Sequence, residues 1–346
     1  MMSNKGELIV LVGLPASGKT TWAKRHMQEN KENTVWLSSD DIWKELSGDE
    51  DTQLLPNCET IGESHAKVSE LLHSRVKENL QKSINVIYDA TNTSAKRRTS
   101  LLKEMAKHHL AATAVYFNTS VGKCIFRDSI RDRSVGEEVI RKMYKGLQVP
   151  TYSEGWDLIK FVKFVDPIRV DWRYTVDATL SRFEVIEHDK FFDWLLTLAP
   201  EFKPCINLPQ DSKHHAFSVS RHIYHAMSYT YEHYEQVFGM SEGKTEMMLA
   251  ALFHDVGKGY TKEFNGRYAN FIGHENVSAQ IAALVLQRWG YDIDTILRVV
   301  ELVQYHMRLM QYKDVKEKVV EKFKNFVGEQ TFQKLMFLHE ADTSAK

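Results

Sequence analysis

Little in this chain points outside a reducing cytosol. It has three cysteines, Cys58, Cys124 and Cys205, odd in number, far apart and without metal-ligand spacing, which excludes a disulfide framework. No apolar run approaches the ~20 residues of a membrane span. The opening MMSNKGELIV lacks the basic-then-apolar block of a secretion signal. The expectation is a cytoplasmic protein with no membrane contact. Charge of one sign is missing too: 45 basic against 46 acidic residues leave a formal net charge of −1. Nucleic-acid binding by a whole-molecule field is thereby excluded, and any such binding rests on a local basic patch. Low-complexity segments and internal repeats are absent. What is present is 346 residues, 43% hydrophobic and 26% charged, a globular composition too long for one ordinary core.

The strongest local signal is Gly13–Thr20, GLPASGKT, with the apolar run Glu7–Gly13 before it and helical spacing after it. It fits G-x-x-x-x-G-K-[ST], in which backbone N–H groups close around phosphate oxygens. Gly13, Ser17, Gly18, Lys19, Thr20 and Thr21 are the candidate nucleotide-phosphate residues, with Lys19 as the mobile cation and Thr20 on Mg²⁺. The following helix turns its positive end on the same anion. The run Thr34–Ser39 reads as a strand ending at Asp40-Asp41. Asp40 either takes the proton of an attacking hydroxyl or caps the next helix. Helices are predicted over 63–82 and 94–109, strands over 85–90 and 112–118, and a last strand within 150–165. Arg127 and Arg131 share a face at i and i+4, either as a lid over a transferring phosphoryl group or as a surface helix salt-bridged by Asp128 and Asp132.

P-loop, SSDD, DATNTSAKRR and R-x-x-x-R, falling in this order over about 7–165, resemble the polynucleotide 5′-kinases of phage and bacterial end-healing systems. The resemblance implies that Lys19 and Thr20 hold ATP·Mg²⁺, Asp40 activates the acceptor 5′-hydroxyl, and Arg127 and Arg131 engage the donor phosphates. It implies that Thr91, with its neighbour Asn92, contacts the acceptor phosphate. Two positions depart from the pattern. Trp43 stands where an arginine is expected, followed by Lys44, and Asp89 lies one place early, with Ala90 before Thr91. Trp43 either stacks on a base or packs.

Residues 166–208 read as a structured connector rich in Trp and Phe, with weak alternation over 171–187 and a short helix at 191–198. From about residue 212 the periodicity is helical: 215–238, 244–256, 274–289, 292–310, 313–327 and 331–345. His222, His254-Asp255, His274, His306 and Asp342 fall on these helices, an imidazole and carboxylate set suited to a water-activating divalent metal. Gly257 and Gly259 read as helix-ending glycines. Two look-alikes are set aside: His188-Asp189 lacks the context, and Gly239–Thr245 lacks the P-loop length and leading strand. His225 and His233 read as surface histidines.

Over about 210–346 the arrangement resembles the HD phosphohydrolases. The resemblance implies that His222, His254, Asp255 and Asp342 bind a metal. His274, His306 and Lys258 would then serve a second metal or the substrate phosphate. The metal is a divalent transition ion, with Mn, Ni, Co, Fe and Zn all open. The expected architecture is an α/β P-loop kinase domain (1–165, parallel sheet flanked by helices), the connector (166–208) and an all-α HD domain (209–346). The expected function is healing of RNA or DNA ends ahead of a nucleic-acid ligase: ATP-dependent phosphorylation of a 5′-hydroxyl, and hydrolysis of a 3′-phosphate or 2′,3′-cyclic phosphate. Two rivals stand beside it: a small-molecule kinase fused to a nucleotide hydrolase, and a nucleotide-sensing switch.

Overall fold

Strand β1 (Leu8–Val12, LIVLV) is buried along its whole length, as a central strand covered on both faces must be. The computed structural model describes residues 6–30, 33–48, 54–108, 111–162, 171–211, 217–308 and 317–345. Around β1 a five-stranded, wholly parallel sheet forms from β2 (Thr34–Ser38), β3 (Asn85–Asp89), β4 (Ala112–Tyr116) and β5 (Leu158–Phe161), in the order β2-β3-β1-β4-β5. The connecting helices are α1 (Lys19–Glu29), α2 (Ser39–Ser47), α3 (Ile61–Gln81), α4 (Ala95–Met105), α5 (Val121–Ser129) and α6 (Glu137–Gly146). Ile9, Leu11, Ala23, Ile87, Val115 and Phe117 form a core on one face of the sheet, with Trp22 and Trp36 against it. The carboxyl ends of β1, β2 and β3 carry Gly13, Asp40 and Asp89, so one edge of the sheet gathers the candidate residues.

The second half is helical: α7 (Arg173–Leu180), α8 (His188–Leu198), α9 (Val219–Phe238), α10 (Lys244–Phe253), α11 (Lys258–Thr261), α12 (His274–Trp289), α13 (Ile293–Tyr305), α14 (Glu317–Val327) and α15 (Glu329–Ser344). A two-stranded hairpin, β6 (Glu263–Phe264) and β7 (Ala269–Asn270), interrupts it. Met247 to Phe253 of α10 are all buried, and a helix apolar all round belongs at the centre of a bundle. Helices α9, α12, α13 and α15 surround it.

Two compact units result: Met1–Met143 with Pro150–Phe164, and Tyr144–Val149 with Val165–Lys346. The described residues of the expected connector thus belong to the second unit. Within it, two buried glutamines hold the segment 144–149. Gln280 Nε2 donates to the carbonyls of Tyr144 (2.8 Å) and Leu147 (2.9 Å), and Gln304 exchanges two bonds with the Val149 backbone.

Several sequence expectations shift. Residues 173–180 are a helix, because Val176 and Leu180, four apart, are what the chain buries there. Helix α3 starts two residues earlier than its apolar spacing, where the Thr60 hydroxyl accepts the Glu63 N–H. Helix α4 ends at Met105, and α13 at Tyr305. Predicted segments at 109, 163–165, 215–216 and 309–316 lie outside the described residues. Gly257 has an ordinary helical φ of −63° and is not a left-handed cap. Its role is proximity: a Cβ there would sit 2.2 Å from the His274 carbonyl oxygen. At Gly259 a Cβ would meet Pro204 at 2.8 Å.

Candidate active sites

In the first unit the P-loop packs before it binds anything. Gly13 is needed because a Cβ would lie 2.8 Å from Ser17 Oγ and 2.9 Å from Phe117 Cβ. Ala16 (φ 56°) and Gly18 (φ 102°) take left-handed conformations, turning successive N–H groups inward as an anion nest. Thr119 Oγ1 donates to the Ser17 carbonyl at 2.9 Å and ties the loop to the residues after β4. Ser17 is buried, while Thr20 and Thr21 are exposed on the first turn of α1.

Lys19 is 8% exposed, and its ammonium donates to the carbonyls of Gly13 (3.0 Å) and Leu14 (2.7 Å). Burial pushes it down to about 8, against the pull of Asp89 and Asp40. An anionic phosphate beside it favours the cation and raises it again. ATP binding is therefore expected to weaken as pH rises above about 8, with proton uptake between about 8 and the ordinary 10.5. Calorimetry of ATP binding in two buffers of different ionisation enthalpy measures the uptake; equal heats would contradict it.

Asp89, at the end of β3, stands in the sequence only as a departure from the kinase pattern, with no role assigned to it. Its Oδ2 accepts from Trp36 Nε1 at 3.1 Å and from Thr20 Oγ1 at 3.5 Å, and burial raises its carboxyl. An acid tied to the P-loop hydroxyl suits the outer shell of the Mg²⁺ that Thr20 would hold. Its signal was there to read: an acid closing the strand next to β1.

At the start of the helix after β2, the capping role falls to another residue than Asp40. Ser38 is the cap, its hydroxyl accepting from the Asp40 (3.2 Å) and Asp41 (3.5 Å) N–H groups. The Asp40 side chain is exposed and has no capping duty. Trp43 packs on His65 of α3, ring centroids 5.3 Å apart, and Lys44 is exposed on the same helix.

Thr91 and Asn92 are held against the P-loop. Gly13 N–H donates to the Thr91 carbonyl (3.1 Å), and Asn92 Nδ2 donates to the Leu11 carbonyl (2.8 Å). The Asn92 amide is therefore committed to the fold. The two lid arginines do not share a helix face, since α5 ends at Ser129 and Arg131 lies beyond it. Asp128 is turned inward, its Oδ2 accepting from Ser134 Oγ (2.6 Å) and the Val135 and Gly136 N–H groups (3.0 Å each). It staples the loop that carries Arg131, 3.7 Å from it. Arg131 is half exposed and near enough to depress the Lys19 ammonium; Arg127 is partly buried.

In the second unit six residues converge. His222 Nε2 lies 3.2 Å from His254 Nε2, 3.1 Å from Asp255 Oδ2 and 2.9 Å from Asp342 Oδ1. Asp255 Oδ1 faces His274 Nε2 at 3.2 Å and His306 Nε2 at 3.9 Å. His222, His254, Asp255 and Asp342 thus make one group able to hold a metal ion, and Asp255, His274 and His306 a second sharing Asp255. All six are buried.

The orientation of the rings is set by backbone. The Nδ1 atoms of His254, His274 and His306 each meet the carbonyl three residues earlier: Ala251 at 2.7 Å, Phe271 at 2.8 Å and Val303 at 2.7 Å. His222 Nδ1 meets the Ala345 carbonyl at 3.1 Å. An Nδ1–H given to a carbonyl leaves the Nε2 lone pair pointing into the centre, which is how metal-binding imidazoles are prepared. His274 Nε2 and His306 Nε2 are buried without a hydrogen-bond partner, so the residues fit a divalent ion. Burial works against the Asp255 carboxylate, yet Lys258 and His254 hold it well below the usual range. Asp342 sits on a helix packed against α9 and is 6% exposed.

Lys258 Nζ contacts Asp255 Oδ2 (2.7 Å) and Gln210 Oε1 (2.8 Å), so it steadies the shared carboxylate. Ser278 Oγ accepts the Gly257 N–H at 2.8 Å, fixing the approach of α12 to the His254-Asp255 turn. His225 packs at a tilt on Phe217, His233 stacks on Tyr229, and the His188–Asp189 pair belongs to neither metal group. Saturating Mn²⁺ at ~100 times its dissociation constant adds ~2.7 kcal/mol. It should raise the second unit's thermal midpoint by about 5–10 °C over chelator-treated protein. Scanning calorimetry measures this; an unmoved transition counts against a metal centre.

Residues 8–150 match the AAA domain family and residues 219–343 the HD domain family. The chain is 26% identical over 189 residues to the L-seryl-tRNA(Sec) kinase of Methanococcus maripaludis, covering 52% of this chain and 65% of that protein. It is 44% identical over 69 residues to the CC-adding tRNA nucleotidyltransferase of Thermus thermophilus, covering 19% of this chain and 16% of that one. Among solved structures, the Pnkp1/Rnl/Hen1 RNA repair complex is similar at 23% identity over 40% of this chain and 43% of that chain, with a TM-score of 0.34. The chain spans less than two thirds of each of these. No helix among the described residues is long and apolar enough to cross a membrane. The chain thus joins an N-terminal segment that matches an AAA domain, on a parallel P-loop sheet, to a C-terminal helical segment that matches an HD domain.

Proposed function

We propose that the chain heals nucleic-acid ends, phosphorylating a 5′-hydroxyl from ATP in the first unit and hydrolysing a 3′-phosphate or 2′,3′-cyclic phosphate in the second. The observation that carries this reading is the pairing of two phosphate-chemistry sites in one chain, one with an uncommitted general-base candidate and one with a prepared metal centre. Two relatives support RNA as the polymer, since each is named for a tRNA substrate. A ligase would act on the healed ends.

In the kinase half, Asp40 accepts the proton of the acceptor hydroxyl as that oxygen attacks the γ-phosphorus. The bond to the β-phosphate oxygen breaks, and Lys19, Arg127 and Arg131 neutralise charge on the donor phosphates. Thr20, backed by Asp89, would hold the Mg²⁺ that ATP brings. Thr91 meets the acceptor phosphate, with Lys44, four residues after Asp40, as a cation for it. In the HD half, His222, His254, Asp255 and Asp342 would hold one divalent ion, and His274 and His306 a second ion or the substrate phosphate. A metal there supplies Lewis acidity and a bound water of lowered pKa. Lys258 keeps the shared Asp255 carboxylate ionised and in place.

One rival keeps a specific observation of its own. A small-molecule kinase fused to a nucleotide hydrolase needs no nucleic-acid surface, which suits a net charge of −1 and a Trp43 packed on His65. Labelled γ-phosphate offered to a 5′-hydroxyl oligonucleotide beside nucleosides and sugars separates the two. Transfer to the oligonucleotide supports end healing; transfer to the small acceptors alone overturns it.

A further inference from the structure

Resting on that reading of the kinase half, we infer that Arg98 and Glu154 are a positioning pair that sets the acceptor loop 90–94 against the P-loop. Both side chains are fully buried, 56 residues apart in sequence. Arg98 Nε and Nη2 donate to Glu154 Oε2 (2.7 Å) and Oε1 (2.5 Å), a bidentate fork. The remaining carboxylate capacity is also taken: Trp156 Nε1 donates at 3.1 Å and the Thr151 N–H at 3.4 Å. Glu154 is therefore held by partners besides Arg98.

The third arm of the guanidinium leaves the pair. Arg98 Nη1 donates to the Asn92 carbonyl at 2.7 Å. Asn92 stands at φ 48°, a left-handed conformation that asparagine tolerates but does not prefer. Its amide reaches the Leu11 carbonyl, and the Thr91 carbonyl takes the Gly13 N–H. The loop is thus clamped between the exit of β1 and one buried arginine. A buried ion pair is weak evidence for stability and can be replaced by apolar residues with little loss. What an apolar pair cannot replace is the donor to Asn92. Arg98 acts through the loop, holding Thr91 where an acceptor phosphate meets it.

The test is the Arg98→Met/Glu154→Met double variant of the full chain, assayed with a 5′-hydroxyl RNA oligonucleotide. The acceptor KM should rise roughly tenfold or more while ATP affinity stays within about twofold. An unchanged acceptor KM, or ATP affinity falling in step with it, overturns the inference. Arg98→Lys keeps a cation for Glu154 but gives up the fork, and serves where the double variant does not fold. In that protein, hydrogen exchange should quicken in a peptide covering 90–94, whatever the acceptor; unchanged exchange there also overturns the inference. Thr91→Val, run alongside, separates the two levels. No change in acceptor KM with Thr91→Val defeats the acceptor assignment, whereas a change with Thr91→Val but none with the Arg98 variants defeats only the positioning role.

Discussion

In the Asp255→Ala protein, phosphohydrolase turnover is expected to fall at least ~10³-fold, because several kcal/mol of charge stabilisation leave with the metal. Among the described residues Asp255 is the carboxylate shared by both metal groups, so its loss disables both at once. The change also takes the Asp255 carboxylate away from Lys258 and His222, a buried imbalance of up to ~3–5 kcal/mol in the metal-free protein. Asp255→Asn keeps the shape and separates chemistry from folding: its activity should fall alike with a smaller drop in thermal midpoint. Phosphorylation by the first unit should remain within about twofold, since the two sites belong to separate compact units and share no residue. Full metal-dependent hydrolysis by either variant would show the second site to be misassigned.

Asp40→Ala carries the largest expected effect on the other half. Kinase kcat should fall ~10²–10⁴-fold, the usual contribution of a general base. ATP affinity and stability should barely move, the latter by less than ~1 kcal/mol. That separation follows from Ser38: because its hydroxyl caps α2, removing the Asp40 carboxylate leaves the helix start intact, with Asp41 still near the positive end. Lys19→Ala should instead weaken ATP binding and turnover together. A kcat for Asp40→Ala within a few-fold of the parent would return Asp40 to a structural role.

Much of this was legible in the chain because periodicity and spacing carry it. GLPASGKT between an apolar run and a helix could hardly be read otherwise, and the six HD-type residues lie on segments whose helical period is plain. What escaped reading depends on partners remote in sequence or on backbone direction. That Asp40 does not cap its own helix turned on one competing hydroxyl two residues away. Each histidine's ligating nitrogen is decided by a carbonyl that receives the other. Gly257 looked like a helix stop, yet it answers to the His274 carbonyl 17 positions on. The Arg98–Glu154 pair joins α4 to a turn beyond β4, and Lys96-Arg97-Arg98 reads as a solvated basic run until the fold turns Arg98 inward. Helix 173–180 was hidden because two apolar positions suffice to anchor it.

The most direct test of two complementary active sites is one incubation of an RNA oligonucleotide bearing a 5′-hydroxyl and a 2′,3′-cyclic or 3′-phosphate with ATP, Mg²⁺ and Mn²⁺, its termini then read by mass. The expected result is gain of a 5′-phosphate, abolished by Asp40→Ala alone, and loss of the 3′-terminal phosphate or opening of the cyclic ester, abolished by Asp255→Ala alone. An oligonucleotide unchanged at both ends, with nucleosides or sugars phosphorylated in its place, would contradict it.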